Sequence, residues 1–179
     1  RIDYYKDFEQ WPAIIPSFKR VEALEISNGH PNNIFGDPEE AFNLWPKTIT
    51  SLKFCCRQAE KCWTRKDKSV LDIGALFPLL KHLTLEGWAG FSLANAKTLP
   101  TGLESLSLPM NRLLLRATKR LSDYLPAELL HLALEGLEES LDEHCQYMPP
   151  KLKSLSLNAR AEMSAVGMRS VPQPLKKLK

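Results

Sequence analysis

The sequence predicts an α/β domain built from stacked repeats, and three observations carry that prediction. First, the phrase "LPTGLESLSL" (Leu99 to Leu108) returns as "LPAELLHLAL" (Leu125 to Leu134) and again as "MPPKLKSLSL" (Met148 to Leu157). Second, an apolar residue followed by proline heads each copy: Ile15-Pro16, Trp45-Pro46, Phe77-Pro78, Leu99-Pro100, Leu125-Pro126, Met148-Pro149 and Val171-Pro172. Third, each head is followed by an apolar triplet spaced three and then two residues apart. The triplets are Val21/Leu24/Ile26, Ile49/Leu52/Phe54, Leu80/Leu83/Leu85, Leu103/Leu106/Leu108, Leu129/Leu132/Leu134 and Leu152/Leu155/Leu157, with Leu175/Leu178 incomplete. Their first members lie 23 to 31 residues apart. Such self-similarity marks a repeat architecture, and it governs how every other feature is read.

The spacing predicts a short strand in each copy. Triplet members two residues apart point to one face of an extended chain, while the first member enters from the turn before it. A strand with one apolar face is not stable alone, but stacked copies bury one another's leucines in a continuous core. Proline fixes its own φ, lacks an N–H and biases the preceding residue towards extended backbone, so it ends the outer segment and starts the turn back. The apolar residue before it is expected to tuck into the core.

The segments between strands predict the return path. In "GDPEEAFNL", Asp37 suits an N-cap and Pro38 the first helical position, with acidic residues in the first turn. "SVLDIGALF", "SLANAKTL" and "RATKRLSDYL" have apolar spacing compatible with helices of about 8–10 residues. Repeats shorter than about 26 residues leave room for only one or two turns. The expected arrangement is a parallel inner sheet with short helices or 3₁₀ turns outside it.

These residues resemble the leucine-rich repeats, in the "LPxxLxxLxL" style found in bacterial effectors and in many protist and other eukaryotic proteins. The resemblance covers roughly residues 15–179 and implies a curved solenoid of about seven repeats, its parallel sheet lining the concave side. Residues 1–179 are then a single domain, with 1–15 as an N-terminal cap or partial repeat and 172–179 as a truncated last repeat. Beginning at Arg1 and stopping inside a repeat, the chain reads as a segment of a longer polypeptide.

Composition sets bounds on function. The chain has 179 residues, 44% of them hydrophobic, enough for a real core. Its 24 basic and 21 acidic residues give a net charge of +3. That is far from the dense basic surface of most nucleic-acid binders. No window approaches the 18 or so uncharged apolar residues of a membrane span, so no membrane partner is expected. The cysteines Cys55, Cys56, Cys62 and Cys145 have no framework spacing, and no N-x-S/T acceptor occurs. Reduced thiols in an intracellular, most simply cytoplasmic, compartment are therefore expected.

Catalytic and cofactor signals are missing from the sequence. "CCRQAEKC" has neither C-x-x-C nor a histidine pair at zinc spacing, so no metal is expected. Neither a P-loop nor a G-x-G-x-x-G occurs, which leaves nucleotide binding without support. His82 and His131 share one repeat position and Glu86 and Glu135 another, but no nucleophile accompanies them. The chain is expected to be no enzyme, and to need no cofactor or small-molecule substrate.

What remains is surface. The register places three outward columns on the inner sheet: Ala23, Ser51, His82, Ser105, His131, Ser154, Lys177; then Glu25, Lys53, Thr84, Ser107, Ala133, Ser156, Lys179; then Ser27, Cys55, Glu86, Pro109, Glu135, Asn158. The expected partner-binding residues are His82, Thr84, Glu86, Ser105, Ser107, His131, Glu135, Ser154, Ser156 and Asn158, with Trp88 and Phe91 as anchors on the rim. The leading expectation is a non-catalytic scaffold that presents this face to a protein partner. A different class of function is a structural subunit of a ribonucleoprotein. There Arg57, Lys61, Arg65, Lys66 and Lys68, interleaved with Trp63, would hold RNA through phosphates and stacking. A third is the targeting segment of an enzyme whose catalytic part lies outside these residues.

Overall fold

Proline carbonyls begin the architecture. A computed structural model describes residues 2–3, 21–27, 45–55, 72–86, 93–109, 123–135, 142–145, 147–158, 164–172 and 174–178. In it the N–H of the first triplet member donates to the proline carbonyl three residues back, closing a β-turn. The bonds are Ile49 to Pro46 (3.4 Å), Leu103 to Pro100, Leu129 to Pro126, Leu152 to Pro149 and Leu175 to Pro172 (3.1 Å each). The copy at Phe77 differs. There Leu80 donates to Phe77 (3.1 Å), so Phe77 takes the place that proline holds elsewhere. Pro78 moves to the first central position, where its fixed φ also suits the turn. The residues before proline tuck inward as expected: Trp45, Leu99, Leu125, Met148 and Val171 are all buried.

A second hydrogen-bond device then enters each strand. Two successive N–H groups fork onto one carbonyl of the preceding repeat, as Thr50 and Ser51 do onto Glu22 (2.8 and 3.0 Å). The fork recurs from Lys81 and His82 onto Thr50, from Glu104 and Ser105 onto Lys81, and from Leu130 and His131 onto Glu104. Lys153 and Ser154 repeat it onto Leu130, and Lys176 and Lys177 onto Lys153. The residues Glu22, Thr50, Lys81, Glu104, Leu130, Lys153 and Lys176 consequently form a row along the rim where the strands begin.

The strands are β1 (Ile2–Asp3), β2 (Ala23–Ser27), β3 (Ser51–Cys55), β4 (His82–Glu86), β5 (Ser105–Pro109), β6 (His131–Glu135), β7 (Ser154–Asn158) and β8 (Lys177–Leu178). They form one sheet in chain order, every pair parallel. Parallel neighbours require a crossover between them, and that crossover is the return path of each repeat. Leucines meet leucines across the ladder, as in Leu24↔Leu52↔Leu83↔Leu106↔Leu132↔Leu155. All six are buried, and Ile49, Leu80, Leu103, Leu129 and Leu152 lie beneath them in the same core. Burying such a side chain contributes about 1.5–3 kcal/mol, repeated strand after strand. The fold is thus α/β, a single all-parallel sheet of repeated short strands.

Short helices punctuate the return path: α1 (Ile73–Leu76), α2 (Leu93–Lys97), α3 (Asp142–Cys145) and α4 (Ala165–Ser170). The first is shorter than apolar spacing predicts. Asp72 accepts from the Ala75 N–H (2.9 Å) and so starts α1 late, while Phe77 leaves it at once for the core. Lys47 Nζ caps its far end on the Leu76 carbonyl (3.0 Å). Glycines sit where successive return segments come close. Gly74 donates to the Thr98 carbonyl at 2.6 Å, and a Cβ on Gly74 would sit 2.6 Å from that same oxygen. Gly167 of α4 lies against Asp142 of α3, whose carboxylate a Cβ there would strike. The "GDPEEAFNL" helix and most of the "RATKRLSDYL" helix lie outside the described residues.

Candidate partner-binding face

With the leucines turned to one side, alternation sends the intervening residues to the other. The first column stands in register across seven strands: Ala23↔Ser51↔His82↔Ser105↔His131↔Ser154↔Lys177. The second runs Glu25↔Lys53↔Thr84↔Ser107↔Ala133↔Ser156. In the third, Ser27↔Cys55↔Glu86 and Pro109↔Glu135↔Asn158 pair as two groups. His82 and His131 are exposed; Thr84, Glu86, Ser105, Ser107, Glu135, Ser154 and Ser156 are half-buried. Asn158 holds its place in the ladder, but its side chain lies outside the described residues. So do Trp88 and Phe91, and so do Arg57, Lys61, Arg65, Lys66, Lys68 and Cys56.

The face carries an internal polar network that the columns alone do not display. Glu86 on β4 receives Lys53 Nζ at 2.8 Å and the Cys55 thiol at 2.9 Å, both from β3. The bond from Cys55, then the one from Lys53, holds the Glu86 carboxyl below the usual carboxylate range. Desolvation by burial, followed by the bond to Glu86, pushes the Cys55 thiol from 9.0 to about 11. The hydrogen bond to Glu86 raises the Lys53 ammonium in turn. A thiol so held is protonated at neutral pH and is a poor nucleophile, since reactivity belongs to the thiolate. Cys55 is a hydrogen-bond donor in this setting.

At the rim, Lys81 and Glu104 meet across adjacent repeats at 2.9 Å. Lys81 is the main reason that the Glu104 carboxyl sits below its ordinary value, with smaller contributions from His82 and His131. Sequence reading missed this row because it took the residue before each strand as part of the turn. The available signal was a polar or charged residue at that position in nearly every copy. Lys53 and Cys55 were likewise legible as members of columns but not as partners of Glu86. Cys55 and Cys145 are free thiols; Cys145 is fully buried, which raises its pKa.

Among the described residues, no group of three or more His, Cys, Asp or Glu is placed to hold a metal. No helix among them is long and apolar enough to cross a membrane. No protein-family profile, curated protein or solved structure matches the chain. The repeat and its polar face are therefore the ground on which a functional reading rests.

Proposed function

We propose that the chain is a non-catalytic interaction module of an intracellular compartment: a leucine-rich-repeat solenoid whose polar sheet face binds a protein partner. The observation that carries this reading is the registered polar face. Its side chains are spared from the core, and the neighbouring ladder holds each at a fixed spacing. Groups already ordered lose little conformational entropy when a partner arrives, so modest contacts suffice for binding. The free thiols of Cys55 and Cys145 agree with a reducing compartment.

Two variants test it. In one, His82, Glu86, His131 and Glu135 become Ala; in the other, Arg57, Lys61, Arg65, Lys66 and Lys68 become Ser. Each is used to recover partners from its native extract, with and without nuclease. The inner-face variant is expected to lose the main protein partner and the loop variant to keep it. If only the loop variant loses its associations, and nuclease strips them from the unmodified protein, the ribonucleoprotein reading replaces this one, because phosphate contacts would then dominate.

A further inference from the structure

The charges on the polar face and along the rim where its strands begin are unevenly compensated. From β3 to the entry of β5 they are bound to one another: Lys53 to Glu86, Cys55 to Glu86, and Lys81 to Glu104. At the entries to β7 and β8 they are not. Lys153 and Lys176 occupy adjacent places in the rim row, in the same relation as Lys81 and Glu104, whose charged groups meet at 2.9 Å. Here both are cations. Lys177, next to Lys176, stands in the first column beside Ser154. All three lysines are exposed, and among the described residues none of them meets a carboxylate. Like charges facing one another at the entries of neighbouring strands repel, and nothing in the packing of the sheet requires them.

The floor beside these lysines is low and hydroxylic: Ser105, Ser107, Ala133, Ser154 and Ser156, all half-buried. Such a floor leaves room for a thin extended chain and offers hydroxyl groups to its backbone. We infer that the β5–β8 part of the face binds an acidic, extended peptide segment of the partner, its carboxylates on Lys153, Lys176 and Lys177. This rests on the interaction-module reading and names the chemistry of its partner. Alternate side chains of an extended peptide fall on one side about 7 Å apart, and neighbouring strands stand about 4.8 Å apart. Flexible lysine stems span that difference. Peptide is favoured over nucleic acid for two reasons. None of the described residues on the face is Phe, Tyr or Trp, the usual stacking platforms for bases. Glu135, about 13 Å along β6 from the lysine end, would also oppose a broad polyanion lying across the face.

The test is binding of a labelled dodecapeptide of alternating Glu and Ser, with a Gln-Ser dodecapeptide and an oligouridylate of twelve residues as comparators. The unmodified protein is measured beside K153Q/K176Q/K177Q and K153E/K176E/K177E, each first checked by thermal melting. The Glu-Ser peptide is expected to bind the unmodified protein, about tenfold more weakly the Gln variant, and not measurably the Glu variant. Added salt should weaken binding. The inference is overturned if the Gln-Ser peptide binds equally, if the substitutions leave Glu-Ser binding unchanged, or if only oligouridylate binds and loses affinity in the variants. Recovery of the native partner separates this failure from that of the module reading. A partner kept by the lysine variants but lost by the inner-face variant overturns the acidic-peptide inference alone. A partner kept by both overturns the module reading too.

Discussion

Leu106 and Ser107 are adjacent in the chain and opposite in duty. Leu106 is 1% exposed in the middle of the leucine ladder, whereas Ser107 faces out in the second column. Leu106→Ala, like Leu132→Ala, is expected to destabilise by about 2–5 kcal/mol through lost burial and the cavity left behind. Ser107→Ala should change stability by less than about 0.5 kcal/mol. Denaturant melts check this, and equal effects would mean that the strand register is wrong. Cys55 offers a pH-dependent test. A thiol held at about 11 is almost wholly protonated at pH 8, so its alkylation by iodoacetamide should be roughly a hundredfold slower than that of free cysteine. Glu86→Gln should speed it, though not to the free value, because burial is the larger cause. The stability linked to Cys55 and Lys53, both raised, is present at neutral pH and lost as pH rises through their folded values. That linked to Glu86, which is lowered, is present above the usual carboxylate range and lost as pH falls through its folded value. The network should therefore contribute most between about pH 5 and pH 9.

The strands were legible because their code is local. A three-then-two spacing after a proline turn needs no knowledge of distant residues, and β3 to β7 fall where the triplets place them. The polar columns follow by alternation, and the ladder pairs them as the repeats align. Helix length was not legible. Asp72 competes for a backbone N–H and the core claims Phe77, so capping and burial outweigh periodicity in α1. The displaced turn at Phe77 has the same origin, since the leucine register is kept and the proline shifts. Cys55 and Glu86 stand opposite one another in the third column, but the union of Lys53 with Glu86 needed the diagonal relation between two repeats, 33 positions apart in the chain, which no single copy displays. Glycine tests the packing of these elements. Gly74→Ala places a Cβ against the Thr98 carbonyl and should destabilise by about 1–3 kcal/mol. Gly102→Ala meets nothing within 4 Å in its turn and should be neutral or slightly stabilising. If thermal melts reversed that order, the return segments would not be stacked as described.

At the scale of the whole molecule, the parallel ladder gives the sheet two unlike faces. One is a continuous run of leucine that holds the repeats together. The other is a registered polar surface whose charges, with those of its rim, are satisfied from β3 to the entry of β5 and uncompensated at the entries to β7 and β8 among the described residues. Long-range contacts of this kind join each repeat only to its neighbours, so stability should grow with each stacked copy, and binding should draw on several strands at once. On the proposed reading, partner contacts fall across the polar columns. The most direct measurement is histidine modification by diethyl pyrocarbonate, read by mass spectrometry, on the protein alone and with its recovered partner. Both His82 and His131 are exposed on the face, at the same column two strands apart. Protection of both by the partner, relative to the protein alone, is the outcome expected of a partner seated on the polar columns. Unchanged modification of His82 and His131 in a saturated complex would contradict it.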